Sequence, residues 1–252
     1  MRAFKLAVTV LLASVLFIPQ ATFAIGLEAA VGGWFQNPGG NIQYLGDSLD
    51  FDNDLKFGSK AKFFGRAKID MPLFIPNVYL MASPMEFSGT GNKSVSFSFA
   101  DKTYSANADF TSKLKLDQYD IALYYGIPGL SLATLGTLNI DLGINTKIID
   151  FSAEVKQGST TESKSYKLPV PMLYAGLQLD IPKLPVSLEE EIRFIAFSGD
   201  HYFDSITRIK ADVFSPIFIA AGFRYQNLNV DYRSISANIT FSGFFAEVGA
   251  SF

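Results

Sequence analysis

The sequence predicts an all-β protein: a transmembrane antiparallel up-and-down β-barrel of about ten strands, with short periplasmic turns and longer outer loops. Three observations predict it. Apolar residues recur at every second position through most of the chain. Aromatic residues are frequent (14%) and charged residues scarce (18%). Beyond the N-terminal segment no run reaches the ~18 consecutive apolar residues that a membrane helix needs. Strands that cross a bilayer must close into a ring, because an open edge would leave backbone groups unpaired in hydrocarbon.

The first segment is of a different kind. Arg2 and Lys5 precede the apolar run from Leu6 to Pro19, and Thr22-Phe23-Ala24 places small residues where a signal peptidase reads them. Residues 1–24 therefore read as a cleaved signal peptide, with 25–252 as a single barrel domain. Losing Arg2 and Lys5 moves the net charge from −3 to −5. That mild acidity argues against nucleic acid as a partner. With no Cys and a single His, disulfides, thiolate metal sites and imidazole-rich metal sites are excluded, and no cofactor is expected.

Period-two alternation marks the strands. From Thr137 to Ile149, Leu138, Ile140, Leu142, Ile144 and Ile148 share one face, opposite Asn139, Asp141, Gly143, Asn145 and Lys147. Leu173, Ala175, Leu177, Leu179 and Ile181 repeat the pattern, as do Tyr119, Ile121, Leu123 and Tyr125, and Phe63, Gly65, Ala67 and Ile69. The segments are 26–35, 58–70, 78–88, 108–126, 137–155, 166–181, 186–198, 205–214, 217–227 and 238–252. Short Pro-bearing connections at 71–77, 127–129, 182–185 and 215–216 alternate with polar stretches at 36–57, 89–109, 155–166, 198–205 and 227–237, read as outer loops. Within 94–110, Val95, Phe97 and Phe99 alternate with Ser and suggest one more hairpin. It reads as an extension above the membrane, because inserting it would put the Pro turns on the wrong side of every later strand. Twelve strands is the alternative.

At the C-terminus Phe244, Ala246, Val248, Ala250 and Phe252 alternate with Phe245, Glu247, Gly249 and Ser251. This resembles the closing strand of Gram-negative outer-membrane proteins, departing from the commonest pattern at Ala250. With the export signal and the strand pattern, the chain resembles the small single-chain outer-membrane β-barrels of proteobacteria, among families of unassigned activity. The resemblance implies residence in the cell outer membrane, contact with its lipid and lipopolysaccharide, and recognition of Phe252 by the barrel assembly machinery. It implies no substrate.

Candidate chemistry is sparse. Asp200-His201, placed in an outer loop, with Asp50 and Asp52 in another, is similar in kind to the rim Asp and His of the omptin proteases. Omptins, however, separate that pair by one residue. A His201–Ser198 or His201–Ser205 pair, as in lipid A deacylases, is weaker still. Asp47, Asp50, Asp52, Asn53 and Asp54 offer alternating oxygens, but Leu55 stands where a calcium loop needs Gly. They read as a solvated acidic loop.

The remaining candidate is the lumen. Strand parity points Lys62, Arg66, Lys68, Glu86, Asp120, Asp141, Lys147, Asp180, Glu189, Glu191, Arg193, Arg208, Lys210, Asp212, Arg224 and Glu247 inward. Arg66, Lys68, Asp120, Asp141, Asp180, Glu191, Arg193 and Arg224 form the expected polar network. Barrels near eight strands are filled by their own side chains, so ten strands with interleaved charges should be largely plugged. A non-enzymatic structural or surface-binding barrel is the expectation, a narrow channel for small solutes or ions the alternative, and a rim hydrolase using His201 the third reading. Glu190 breaks the pattern, sharing the lipid-facing parity of Leu188, Ile192 and Phe194. A bulge or an interfacial position would account for it.

Overall fold

The computed structural model describes residues 25–72, 74–99, 102–232 and 235–252. The signal peptide read in 1–24 lies outside them. The described residues form β1 (Gly26–Tyr44), β2 (Ser48–Asp50), β3 (Lys60–Asp70), β4 (Asn77–Ser83), β5 (Glu86–Asn92), β6 (Phe97–Phe99), β7 (Lys102–Tyr104), β8 (Asp109–Gly126), the single helical turn α1 (Leu130–Ala133), β9 (Leu138–Gln157), β10 (Thr160–Asp180), β11 (Val186–Phe197), β12 (Asp200–Phe214), β13 (Ile217–Tyr232) and β14 (Ile235–Ser251).

Each wall strand is antiparallel to its neighbours, and β14 pairs back onto β1 from Glu28↔Ser251 to Tyr44↔Ile235, so the barrel is closed. Backbone bonds between Leu27 and Phe252, at 2.8 and 3.1 Å, finish the seam. β4 and β5 both pair with β8 and together occupy one of the ten wall positions. Their break falls at Pro84, which has no N–H to give a ladder. Met85 repairs it by accepting from Leu116 N–H at 2.8 Å and donating its own N–H to Asp117 at 3.1 Å. β6 and β7 form a separate two-stranded sheet, so ten strands rather than twelve make the wall.

Three of the expected outer loops are not loops. β9 and β10 meet at a tight turn over 158–159, β11 and β12 at 198–199, and β13 and β14 run on to 232 and 235. The ladder continues because backbone pairing does not depend on side-chain polarity, whereas a ribbon wetted on both faces loses the apolar alternation that identifies a strand.

Along the long strands the burial parity stays constant while polarity reverses. On β9, Leu142 and Ile144 face out and Asn145 and Lys147 face in, but further up Ile149, Ala153 and Val155 face in and Ser152 and Glu154 take the outward parity. β8 does the same, with Ile121 and Leu123 outward near the short turns and Phe110, Leu114 and Leu116 inward near the loops. On β14, Phe244 and Val248 are exposed while Ile239 and Phe241 are buried. The lower half therefore carries an apolar belt outside and charge inside, as a lipid-facing barrel must. The upper half is a water-exposed barrel with an apolar core.

Candidate functional site

The interior is built in layers from the short-turn end upward. At the mouth, Asp141 and Asp180 are only half-buried. Asp180 accepts a hydrogen bond from Gln178 at 2.9 Å, and neither carboxylate is in an ion pair among the described residues. These two expected members of the network stay outside it because the strands end there and water reaches them. Asp212 is exposed at the same end.

Above them lies a continuous ion-pair network. Glu247 receives Arg66 at 2.7 Å and Arg208 at 3.4 Å. Glu28 bridges Arg66 and Lys210, each at 2.5 Å. Glu191 takes Arg208 at 2.5 Å, Arg193 at 2.9 Å and Lys68 at 3.3 Å. Arg193 lies 3.8 Å from Asp120, which holds Lys147 at 2.8 Å, and Lys147 reaches Asp204 at 2.9 Å. Arg224 bonds Asp204 at 2.7 Å. The Arg193 guanidinium also lies between Tyr79 and Tyr174, 4.8 and 5.4 Å from the ring centres, and Arg224 lies 4.8 Å from the Trp34 ring. Flat guanidinium faces are weakly hydrated and stack on rings, which explains why Arg rather than Lys fills the crowded centre.

Of the expected network, Arg66, Lys68, Asp120, Glu191, Arg193 and Arg224 are brought together. Sequence reasoning missed Glu28, just inside the first strand, and Asp204, which had been assigned to a loop. Glu28 shares the parity of Ala30, Gly32 and Trp34 and was findable from it. Lys62 and Glu86 pair with each other at 3.3 Å, but Glu86 is exposed rather than inward. On β4 and β5 the inward set is Tyr79, Met81, Ser83, Met85 and Phe87, so a rule placing polar residues inside gives the wrong face there.

An amide layer closes the network above. Gln118 and Gln226 exchange hydrogen bonds at 2.8 and 3.0 Å, and Gln118 Nε2 donates to the Tyr202 hydroxyl at 2.9 Å. Higher still the interior is aromatic. The segment after β2 turns into the barrel and buries Leu49, Phe51, Leu55 and Phe57 against Phe87, Phe110, Leu114 and Val155. Gly89 and Gly91 make room for it. A Cβ at Gly89 would lie 2.0 Å from the Leu55 carbonyl oxygen, and one at Gly91 1.8 Å from that of Asp54. The acidic stretch is a tight turn whose apolar side plugs the barrel while Asp47, Asp52 and Asn53 stay exposed. Asp50 Oδ1 accepts from the Asp52 and Asn53 amides at 3.0 and 2.7 Å, and Asp54 takes Lys93 at 2.8 Å.

The β6–β7 hairpin is a cap rather than a free projection. Phe97, Phe99 and Tyr104 are buried, and Tyr104 donates to Val155 O at 3.1 Å. Burial, with Glu162 nearby, pushes its phenol above the ordinary range. Among the described residues, one cavity beside Arg66 and Arg224 measures ≈10 Å³ and one beside Phe51 and Leu114 ≈20 Å³. Each is about the size of a single water.

At the rim the candidate groups hold other partners. His201 lies on β12, not in a loop, and its Nε2 is 2.6 Å from Asn227 Oδ1. Asp200 accepts from the Asp231 amide, and Ser205 donates to Glu190 at 2.6 Å. The anomalous Glu190 needs no bulge, because β11 and β12 stay in register and Ser205 and Thr207 on β12 both hydrogen-bond its carboxylate.

No protein-family model and no curated protein matches the chain. Among solved structures it is similar to the outer-membrane protease OmpT of Escherichia coli, with 9% identity over 92% of this chain and 98% of that one and a TM-score of 0.54. The NalP translocator domain of Neisseria meningitidis (12% identity, 100% and 96% covered, TM-score 0.36) and Ail of Yersinia pestis (11%, 90% and 99%, 0.32) also match. At these identities the likeness concerns the fold, and the two lower scores carry no argument. The fold is that of the small outer-membrane β-barrels of Gram-negative bacteria. Within that class the chain is a closed ten-stranded barrel with two further strands capping one end.

Proposed function

We propose that this outer-membrane barrel is closed and non-catalytic, and that it acts as a rigid structural element presenting its loop-end surface for binding. The observation that carries the reading is the filled interior. A conduit needs a continuous polar path, and here the buried ion pairs, the paired glutamines and the aromatic plug follow one another along the lumen. Seven cations face six anions across the network. Such interleaving favours a packed scaffold over a field that selects one ion.

The exposed Lys113 and Lys167 take the outward parity above the apolar belt. That height suits the phosphates of lipopolysaccharide, and Phe252, half-exposed at the seam, suits recognition by the assembly machinery. Planar-bilayer recording of the refolded protein tests the reading. Conductance near background is expected for wild type and for Arg66→Ala, with Arg66→Ala less stable. A clear open channel whose cation preference changes in Arg66→Ala, with unfolding unchanged, would replace this reading with the narrow channel.

A further inference from the structure

The two ends of the barrel differ in chemistry. The connection over 45–59 carries Asp47, Asp50, Asp52, Asp54 and Lys56, whereas the four connections at 71–76, 127–137, 181–185 and 215–216 carry one charge, Lys183. The short-turn end also exposes a cluster of large apolar side chains: Phe74 at 89%, Leu132 at 83% and Leu135 at 91%, with Ile75, Leu184 and Phe214 also exposed. Leu135 sits at φ +54, just past α1, in the left-handed region where glycine usually ends a helix. The Leu135 side chain buries almost none of its surface against the protein.

The height of the belt indicates what covers this end. On β14 the outward apolar set runs from Phe244 to Phe252 before Ser242 begins the polar zone, and on β13 it runs from Ile217 to Tyr225 before Asn227. These nine residues, eight rises of tilted strand, span roughly 20 Å, short of the roughly 25 Å apolar band of such barrels. The shortfall lies at the short-turn end, where the turns are continuous with the belt.

Building on the membrane reading above, we propose that the short-turn rim is itself immersed in lipid: α1 and the neighbouring turns seat in the inner-leaflet acyl region, with Lys183 reaching back to lipid phosphates. The occupant of this apolar surface is lipid, not a periplasmic protein, because the outward-facing surface extends the lipid-facing belt and supplies the missing thickness, while Asp70, Asp141, Asp180 and Asp212 at the same end take the lumen parity and face the wet mouth.

The chain contains no Cys, so single labels are unambiguous. Nitroxides would be attached to Leu132→Cys, Leu135→Cys, the belt site Ile144→Cys and the exposed loop-end site Asn53→Cys, in phosphatidylethanolamine–phosphatidylglycerol vesicles. Collision with oxygen and with a water-soluble nickel chelate would then be compared. The Leu132 and Leu135 labels should favour oxygen, as the Ile144 label does, and the Asn53 label should favour nickel. Nickel access at Leu132 and Leu135 equal to that at Asn53, with Ile144 still shielded, would overturn immersion while leaving the membrane reading intact. Nickel access at Ile144 as well would remove both. Independently, the Leu132→Ser/Leu135→Ser variant should lose more unfolding midpoint in eighteen-carbon than in twelve-carbon lipids, and an equal loss in both would count against the proposal.

Discussion

The lower and upper halves of this barrel fill the same cylinder with opposite chemistry. Below, ion pairs hold the lumen and leucine, isoleucine and phenylalanine meet the bilayer. Above, Phe51, Phe87, Phe97 and Phe110 fill the lumen and the outside is polar. The difference shows that the solvent outside decides what is packed inside. Where lipid takes the apolar face, the inward positions are left to groups that must satisfy one another. Where water surrounds the wall, ordinary hydrophobic burial takes over.

Breaking the lower half should cost most. Glu191 serves Arg208, Arg193 and Lys68, so Glu191→Ala leaves buried cations facing one another. Removing one partner of a buried pair costs about 3–5 kcal/mol, and this junction should reach or exceed the top of that range in urea unfolding from vesicles.

In the upper half, Phe51→Ala should cost about 3–5 kcal/mol through cavity formation, and conductance should stay near background because the ionic and amide layers below remain intact. A channel appearing in this variant would mean that the plug alone seals the lumen.

On the belt, Leu142→Arg should cost about 2–4 kcal/mol near the midplane. Asn145→Arg, on the opposite face of the same strand, would be the milder change if the lumen were wet. Asn145 instead donates to Asp120 at 2.8 Å and is buried beside Met172, so the added bulk and charge should cost at least as much as Leu142→Arg. A clearly milder Asn145→Arg would show that water reaches that layer.

Two small effects sharpen the contrast. Lys62→Ala removes a partly exposed pair with Glu86 and should cost under about 1 kcal/mol, with the difference from wild type shrinking in high salt. His201→Ala should shift stability by no more than about 0.5 kcal/mol. Any hydrolytic activity abolished by His201→Ala would contradict the non-catalytic reading.

Much of this was legible in the chain. The dyad in Leu138–Ile144 and Leu173–Ile181 identified wall strands and their lipid face, and the Pro-bearing connections set the strand count. Lumen members such as Arg66, Glu191 and Arg224 followed from parity, because a strand offers only two faces. Glu86 is outward, and Leu49, Phe51, Leu55 and Phe57 of the acidic segment pack inward, against a rule in which polarity means the same thing along the whole strand. The spacing of Leu49 with Phe51, and of Leu55 with Phe57, carried the signal of an inward plug. A loop has no fixed period, however, so spacing alone does not say whether such residues face a core.

The sequence by itself determined the closed all-β barrel, its short-turn and loop ends and the sorting of its lower faces, since these depend on local alternation and turn chemistry. Only the tertiary structure decided which charges meet, that Glu28 joins Arg66 and Lys210 across the seam, and that Asp204 anchors both Lys147 and Arg224. It also decided that the first outer segment folds inward. Those contacts join residues distant in sequence, and their geometry exists only once the wall has closed and fixed its register.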